Sequence, residues 1–193
     1  MEYVDKPPDP DQNPFTAAKK IDKIPFDIKG DSTYPIQKAR VSDARQILTL
    51  INSFAASNLM LPRGPQYIYE NIRDFTIAVD DTAPGPETGK EHRIIACGSL
   101  HVLWEDIAEI RSTAIHLDYQ HKGLGKKLVD FMKIEAKELG IKTLFTWTLA
   151  EDFFLALGFK RKGSEELSPK VWGECSRCPK YFQCDEVGMV LEL

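Results

Sequence analysis

The chain has 193 residues, 42% of them hydrophobic and 28% charged, enough to bury one substantial core and ordinary for a soluble globular protein. A formal net charge of -4 and a pI near 5.6 give no broad attraction to phosphate backbones, which argues against nucleic acid as a partner. No run approaches the ~18 apolar residues of a membrane span, and the opening MEYVDKPPDP lacks the basic start and apolar centre of a secretory signal, so a cytoplasmic protein with no membrane partner is expected.

Residues 1–32 carry Pro7, Pro8, Pro10, Pro14 and Pro25 among scattered charges and read as an extended arm before a single domain over 33–193. A strand is predicted over 35–41, then a helix capped by Ser42 with Ala44, Ile47, Leu48, Ile51 and Phe54 on its apolar side. A second helix is predicted over 64–73 and a strand over 75–79, followed by a turn-rich insert over 80–90 that reads as a mobile hairpin tip. Two strand-rich runs, 93–104 and 108–117, are separated by Glu105 and Asp106 and should pair antiparallel. A helix over 123–139 presents Leu124, Leu128, Phe131, Met132 and Leu139 as its apolar stripe. A buried strand over 142–148, a short helix over 151–157 and a closing strand over 187–193 complete an α/β (α+β) fold with a mostly antiparallel sheet.

The segment Gln120-His121-Lys122-Gly123-Leu124-Gly125 lies between a strand and a helix start. Helix starts leave backbone N–H groups unpaired, and two glycines would let a pyrophosphate approach those donors, with Lys122, Lys126 and Lys127 adding positive charge. Neither GxxxxGK[ST] nor GxGxxG is present, so the chain reads neither as an NTPase nor as a Rossmann dehydrogenase. A tight strand-to-helix turn is the bland alternative.

Residues 115–125, Ile-His-Leu-Asp-Tyr-Gln-His-Lys-Gly-Leu-Gly, resemble the pyrophosphate-binding motif of GNAT acetyltransferases, and the late Phe153-Phe154…Gly158-Phe159 element also looks like that family. The resemblance covers about residues 34–193. It implies the GNAT fold, with acetyl-CoA as cosubstrate in a V-shaped cleft between the strands over 108–117 and 142–148. Ile115 and its neighbours would then offer backbone groups to the pantetheine arm. Gln120, His121, Gly123, Leu124, Gly125 and Lys126 would contact pyrophosphate, chiefly through backbone N–H groups; His121 is equally readable as an exposed loop residue.

Cys97-Gly98-Ser99-Leu100-His101-Val102-Leu103-Trp104, Glu109 to Ala114, Leu61-Pro62-Arg63 and Tyr69 to Phe75 together look like the short, kinase-domain-free form of bacterial N-acetylglutamate synthase. The implied reaction is acetylation of the α-amino group of L-glutamate, entering arginine biosynthesis, and a homodimer is left open. Acetylation of another amino acid, a polyamine or a protein amine is the alternative, as is a non-catalytic acetyl-CoA sensor.

Two carboxylates call for cations, and Arg63 and Arg111 are the candidates, against a surface arginine for Arg63 and a salt bridge to Glu109 for Arg111. Glu109, Arg111 and Thr113 share strand parity and should project from one face beside the thioester. An attacking amine must lose a proton, and Glu109 is the candidate base, against a structural carboxylate. The helix over 151–157 has no tyrosine to protonate the leaving thiolate, and Leu149 and Ala150 stand where the longer synthases have an arginine.

Cys175, Cys178 and Cys184 form C-x2-C-x5-C. Thiols are favoured there over a metal site, because a fourth ligand is not obvious, and Cys97 reads as buried.

Overall fold

A computed structural model describes residues 34–83, 93–163, 166, 173, 175–178 and 180–193. The arm expected over 1–32 and residues 84–90 of the expected insert lie outside them.

The chain opens with β1 (Ile36–Lys38), shorter than expected because residues 41–43 form a 3-10 turn. The carboxylate of Asp43, not the hydroxyl of Ser42, organises that turn by accepting the Arg40 N–H at 2.8 Å. Helix α1 (Ala44–Ala55) follows and buries Ala44, Ile47, Leu50 and Ile51 at helical spacing. Pro65, its missing N–H harmless at a helix start, opens α2 (Pro65–Glu70). The helix expected to run to 73 instead breaks at Asn71, whose Nδ2 donates to the Tyr67 carbonyl at 2.8 Å, and a 3-10 turn, Ile72–Asp74, leads into β2 (Phe75–Asp80).

β3 (Arg93–Val102) and β4 (Ile107–Ile115) form the expected antiparallel hairpin. It ends earlier than predicted because the N–H groups of Leu103 and Trp104 both turn onto the Ile107 carbonyl, at 3.0 and 3.2 Å. Helix α3 (Leu124–Glu138), β5 (Thr143–Thr148), α4 (Glu151–Ala156) and β7 (Val187–Glu192) fall within one or two residues of their predicted spans. Leu139 does not join the α3 stripe; it caps the helix and is exposed, while Val129 and Ala136 are buried. β6 (Lys160–Lys162) was not expected, since Lys-Arg-Lys carries no apolar pattern; pairing with β7 makes it a strand.

The seven strands of the described residues form one sheet ordered β1-β2-β3-β4-β5-β7-β6. Helix α3 covers one face, where Leu128 and Met132 pack with Ala96, Leu100, Ile110, Leu144, Phe154 and Phe159. Helices α1 and α2 cover the other, around Ile47, Ile51, Ile68, Phe75 and Ile77. Only β4 and β5 run parallel, and their ladder covers just Ile107–Glu109 against Thr143–Phe145. Beyond it β5 pairs with β7 alone, so the two strands diverge into a V-shaped cleft.

Candidate active site

The diverging strands open a cleft of about 1490 Å³ walled by the residues from Glu109 to Ile115 and from Thr146 to Ala150. One end is lined by the loop preceding α3, the other by Met60 to Arg63, Tyr67, Cys175, Cys178, Tyr181, Cys184 and Glu186. Every site residue singled out from the sequence, Arg63, Glu109, Arg111, Thr113, Ile115, Gln120, His121, Gly123, Leu124, Gly125 and Lys126, borders this one cavity.

The loop before α3 is held from several sides. The Tyr119 hydroxyl donates to Asp80 at 2.7 Å, and hydrogen bonds from Thr82 and then Tyr119 hold the Asp80 carboxyl down at about 2. The Gln120 side chain turns inward and donates to the Ile115 carbonyl at 3.0 Å; Lys122 folds back onto the Asp118 carbonyl at 2.7 Å. Arg93 lies 2.6 Å from His116 Nε2, and the Asp118 N–H approaches Nδ1 of the same ring at 3.3 Å. His121 adopts φ 58°, a left-handed conformation that costs a non-glycine residue energy and persists only where its surroundings enforce it.

The two glycines serve different ends. Gly123 caps α3 at φ 76°, with nothing within 4 Å of where a Cβ would sit, so the backbone angle calls for glycine there. At Gly125 a Cβ would stand 3.1 Å from the Phe153 ring and 3.3 Å from Ile115 Cδ1, so α3 packs tightly there and leaves little room for a side chain. The first helical hydrogen bond is Lys127 N–H to the Gly123 carbonyl, which leaves the N–H groups of Leu124, Gly125 and Lys126 facing the cleft end without helical acceptors, a cradle that fits a diphosphate. The Lys126 ammonium is engaged by Asp130, so this residue offers its backbone rather than its charge.

Across the cleft, Asn52 grips the backbone of Arg63 twice, accepting its N–H and donating to its carbonyl, both at 3.0 Å. The Arg63 guanidinium lies 4.0 Å from the Tyr67 ring centre and that of Arg111 5.4 Å from the same ring, which gathers two cations on one aromatic platform. Arg111 is buried, donates to Asn71 Oδ1 at 3.3 Å and lies 3.8 Å from Glu109, so the anticipated salt bridge is present. Asn52, Tyr67 and Asn71 were missed from the sequence; nothing in their spacing links them to residue 111.

The expectation that Glu109, Arg111 and Thr113 share one face is corrected. Arg111 is opposite Ser99 and Ala114 is opposite Cys97, so Ser112 and Thr113 together face Gly98. Ser112, at φ 54°, forms the bulge and inverts the alternation beyond it. Thr113 Oγ1 therefore lies on the α3 side, near the point where a Gly98 Cβ would meet Met132 and Leu128, while Arg111 stays on the α2 side.

Cys175, Cys178 and Cys184 are free thiols bordering the cleft. Burial, followed by the charge of Glu109, pushes the Cys175 thiol up to about 11, which makes it a poor nucleophile near neutral pH. Burial likewise pushes Cys97 up to about 12. Among the described residues no group of three or more His, Cys, Asp or Glu side chains is placed to hold a metal ion, and no helix is long and apolar enough to cross a membrane.

Comparison with known proteins agrees with this geometry. The model of the acetyltransferase (GNAT) family matches residues 50–159. An uncharacterized N-acetyltransferase of Chlorobaculum tepidum is 32% identical over 82% of this chain and 96% of its own length. An amino-acid acetyltransferase of Mycobacterium tuberculosis is 28% identical over 74% of this chain and 77% of its own. The crystal structure of Rv2747 from M. tuberculosis in complex with CoA and NLQ superposes with a TM-score of 0.64 at 26% identity, covering 82% of this chain and 99% of that one. N-acetylglutamate synthase from Neisseria gonorrhoeae, complexed with coenzyme A and N-acetyl-glutamate, shares the fold at a TM-score of 0.71 and 21% identity, over 85% of this chain and 36% of that one.

Proposed function

The chain belongs to the acetyltransferase (GNAT) family and is an acetyl-CoA-dependent N-acetyltransferase; on that footing we propose that it acetylates the α-amino group of L-glutamate, the N-acetylglutamate synthase reaction that opens arginine biosynthesis in the cytoplasm. The observation that carries this reading is the pair of guanidinium groups, Arg63 and Arg111, set over the Tyr67 ring beside Glu109 at the cleft end remote from the glycine loop. Two fixed cations suit an acceptor with two carboxylates. Relatives named amino-acid acetyltransferase support the same class.

When bound, acetyl-CoA supplies an activated acyl group. Gln120, His121, Gly123, Leu124, Gly125 and Lys126 would hold its pyrophosphate, chiefly through the N–H groups at the start of α3, and Ile115 on β4 would offer backbone groups to the pantetheine arm. Arg63 and Arg111 orient the acceptor so that its amino group meets the thioester carbonyl, and Glu109 takes the ammonium proton, freeing the lone pair for attack. Thr113, on the other side of the sheet from Arg111, borders the cleft but stands apart from the two arginines. The helix α4 offers no tyrosine, so the departing thiolate is protonated by water or by the proton released from the amine.

The turn Leu149-Ala150, which lines the cleft without a cation, favours a second reading, an amino acid with a single carboxylate. The test is release of CoA thiol from acetyl-CoA with L-glutamate, L-glutamine, L-aspartate, other amino acids and a polyamine. Glutamate is expected to lead the panel, and Arg63→Ala to raise its KM about tenfold or more with little change in the KM for acetyl-CoA. Equal turnover of the polyamine would reject the reading.

A further inference from the structure

Glu186 is a cleft residue that the chemistry above leaves unused. Val187 pairs with Thr148 at the far end of the β5–β7 ladder, which sets the residue before it next to the Leu149-Ala150 turn. There Glu186 borders both the main cleft and a small adjoining cavity lined by Met60, Leu61, Lys180 and Asp185. Burial and then Asp185 push its carboxyl up, while Lys180 and Arg63 pull it down, so Glu186 and Arg63 already feel each other's charge.

Among the described residues at the acceptor end, Arg63 and Arg111 are offset by Glu109 and Glu186. Arg111 pairs with Glu109 and Asn71. An acceptor carboxylate that draws on Arg63 shares that end of the cleft with Glu186.

We propose that Glu186 sets the charge selectivity of the acceptor pocket, competing with an acceptor's second carboxylate for Arg63 and so narrowing the preference for a dicarboxylate over the same skeleton ending in a neutral amide. The inference rests on the amino-acid acceptor reading above. It predicts selectivity rather than turnover, since the amine and the thioester meet at Glu109.

The experiment measures kcat/KM for L-glutamate and L-glutamine in wild type, Glu186→Gln, Arg63→Gln and the double variant, with the KM for acetyl-CoA as a check that the fold and the cofactor loop are intact. Glu186→Gln is isosteric and removes one charge at a half-buried site, so the glutamate-to-glutamine ratio should rise about tenfold. In the Arg63→Gln background the same change should move the ratio by less than about twofold, because the shared partner is gone. A ratio that stays put or falls in Glu186→Gln overturns the proposal, as does a rise that persists undiminished without Arg63. If wild type acetylates neither amino acid, the acceptor reading itself fails and this inference with it; turnover with an unmoved ratio sinks only the inference.

Discussion

Gly123 and Gly125 look alike in the sequence and act differently in the molecule. At Gly123 the left-handed backbone is the constraint, so Gly123→Ala should cost about 1 kcal/mol of stability without a steric clash. At Gly125 the added methyl meets the Phe153 ring at 3.1 Å, and Gly125→Ala should cost about 1–3 kcal/mol through overpacking. Urea unfolding midpoints check both. Phe153→Leu should recover part of the loss in Gly125→Ala and none of it in Gly123→Ala; recovery in both would mean that packing governs both positions. Glu109 is the other residue whose role is decided locally, beside Arg111 and the Cys175 thiol. Glu109→Gln should lower kcat/KM about a hundredfold and flatten the acid limb of its pH profile. A variant that loses activity only through the KM for the acceptor would instead make Glu109 a support for Arg111.

At the scale of elements, the loop from His116 to Gly123 is a positioned structure, tied through Tyr119 to the end of β2 and through Arg93 to the start of β3. Asp80 gives this tie a pH signature. Its folded carboxyl stands at about 2, below the ordinary ~3.9 of an aspartate. The stabilisation is therefore fully present above pH ~4 and is lost as the pH falls towards about 2. Tyr119→Phe removes one of the hydrogen bonds responsible, so its stability deficit at pH 7 should shrink as the acid is titrated in. Urea midpoints at neutral pH and near pH 3 decide the matter, and an equal deficit at both would show that Tyr119 acts through packing against Tyr34 and His116 alone. The bulge at Ser112 works at this scale too: one extra residue in β4 sends Arg111 and Thr113 to opposite faces of a strand whose pattern puts them on one.

At the scale of the whole domain, one sheet with a core on each face divides the labour. The α3 face carries the glycine loop proposed to hold acetyl-CoA, and the α1 and α2 face carries Asn52, Arg63, Tyr67 and Asn71 at the end proposed for the acceptor. A cavity made under α3 should therefore reach acetyl-CoA binding before it reaches acceptor recognition. Leu128→Ala, at a fully buried position, should cost about 2–5 kcal/mol in urea unfolding. Below the melting point its KM for acetyl-CoA should rise more than its KM for the acceptor. An effect shared equally by both would mean that the two faces are coupled through the sheet.

The glycine loop and the order of strands and helices were legible in the sequence because each rests on contacts or torsions within a few residues: an apolar stripe at helical spacing, a strand-helix junction, a left-handed glycine. Element ends moved where a side chain from outside the element closed it, as Asp43 does for Arg40 and Asn71 for Tyr67. β6 became a strand only by pairing with β7. The sequence by itself determined the family and the unpaired N–H groups of the glycine loop, since a helix start needs no distant partner to expose them. Tertiary structure alone decided the acceptor side. Strand divergence, the Ser112 bulge, the Tyr67 platform between two arginines and the approach of Glu186 to the cleft all depend on residues far apart in the chain, and no local periodicity encodes which of them meet.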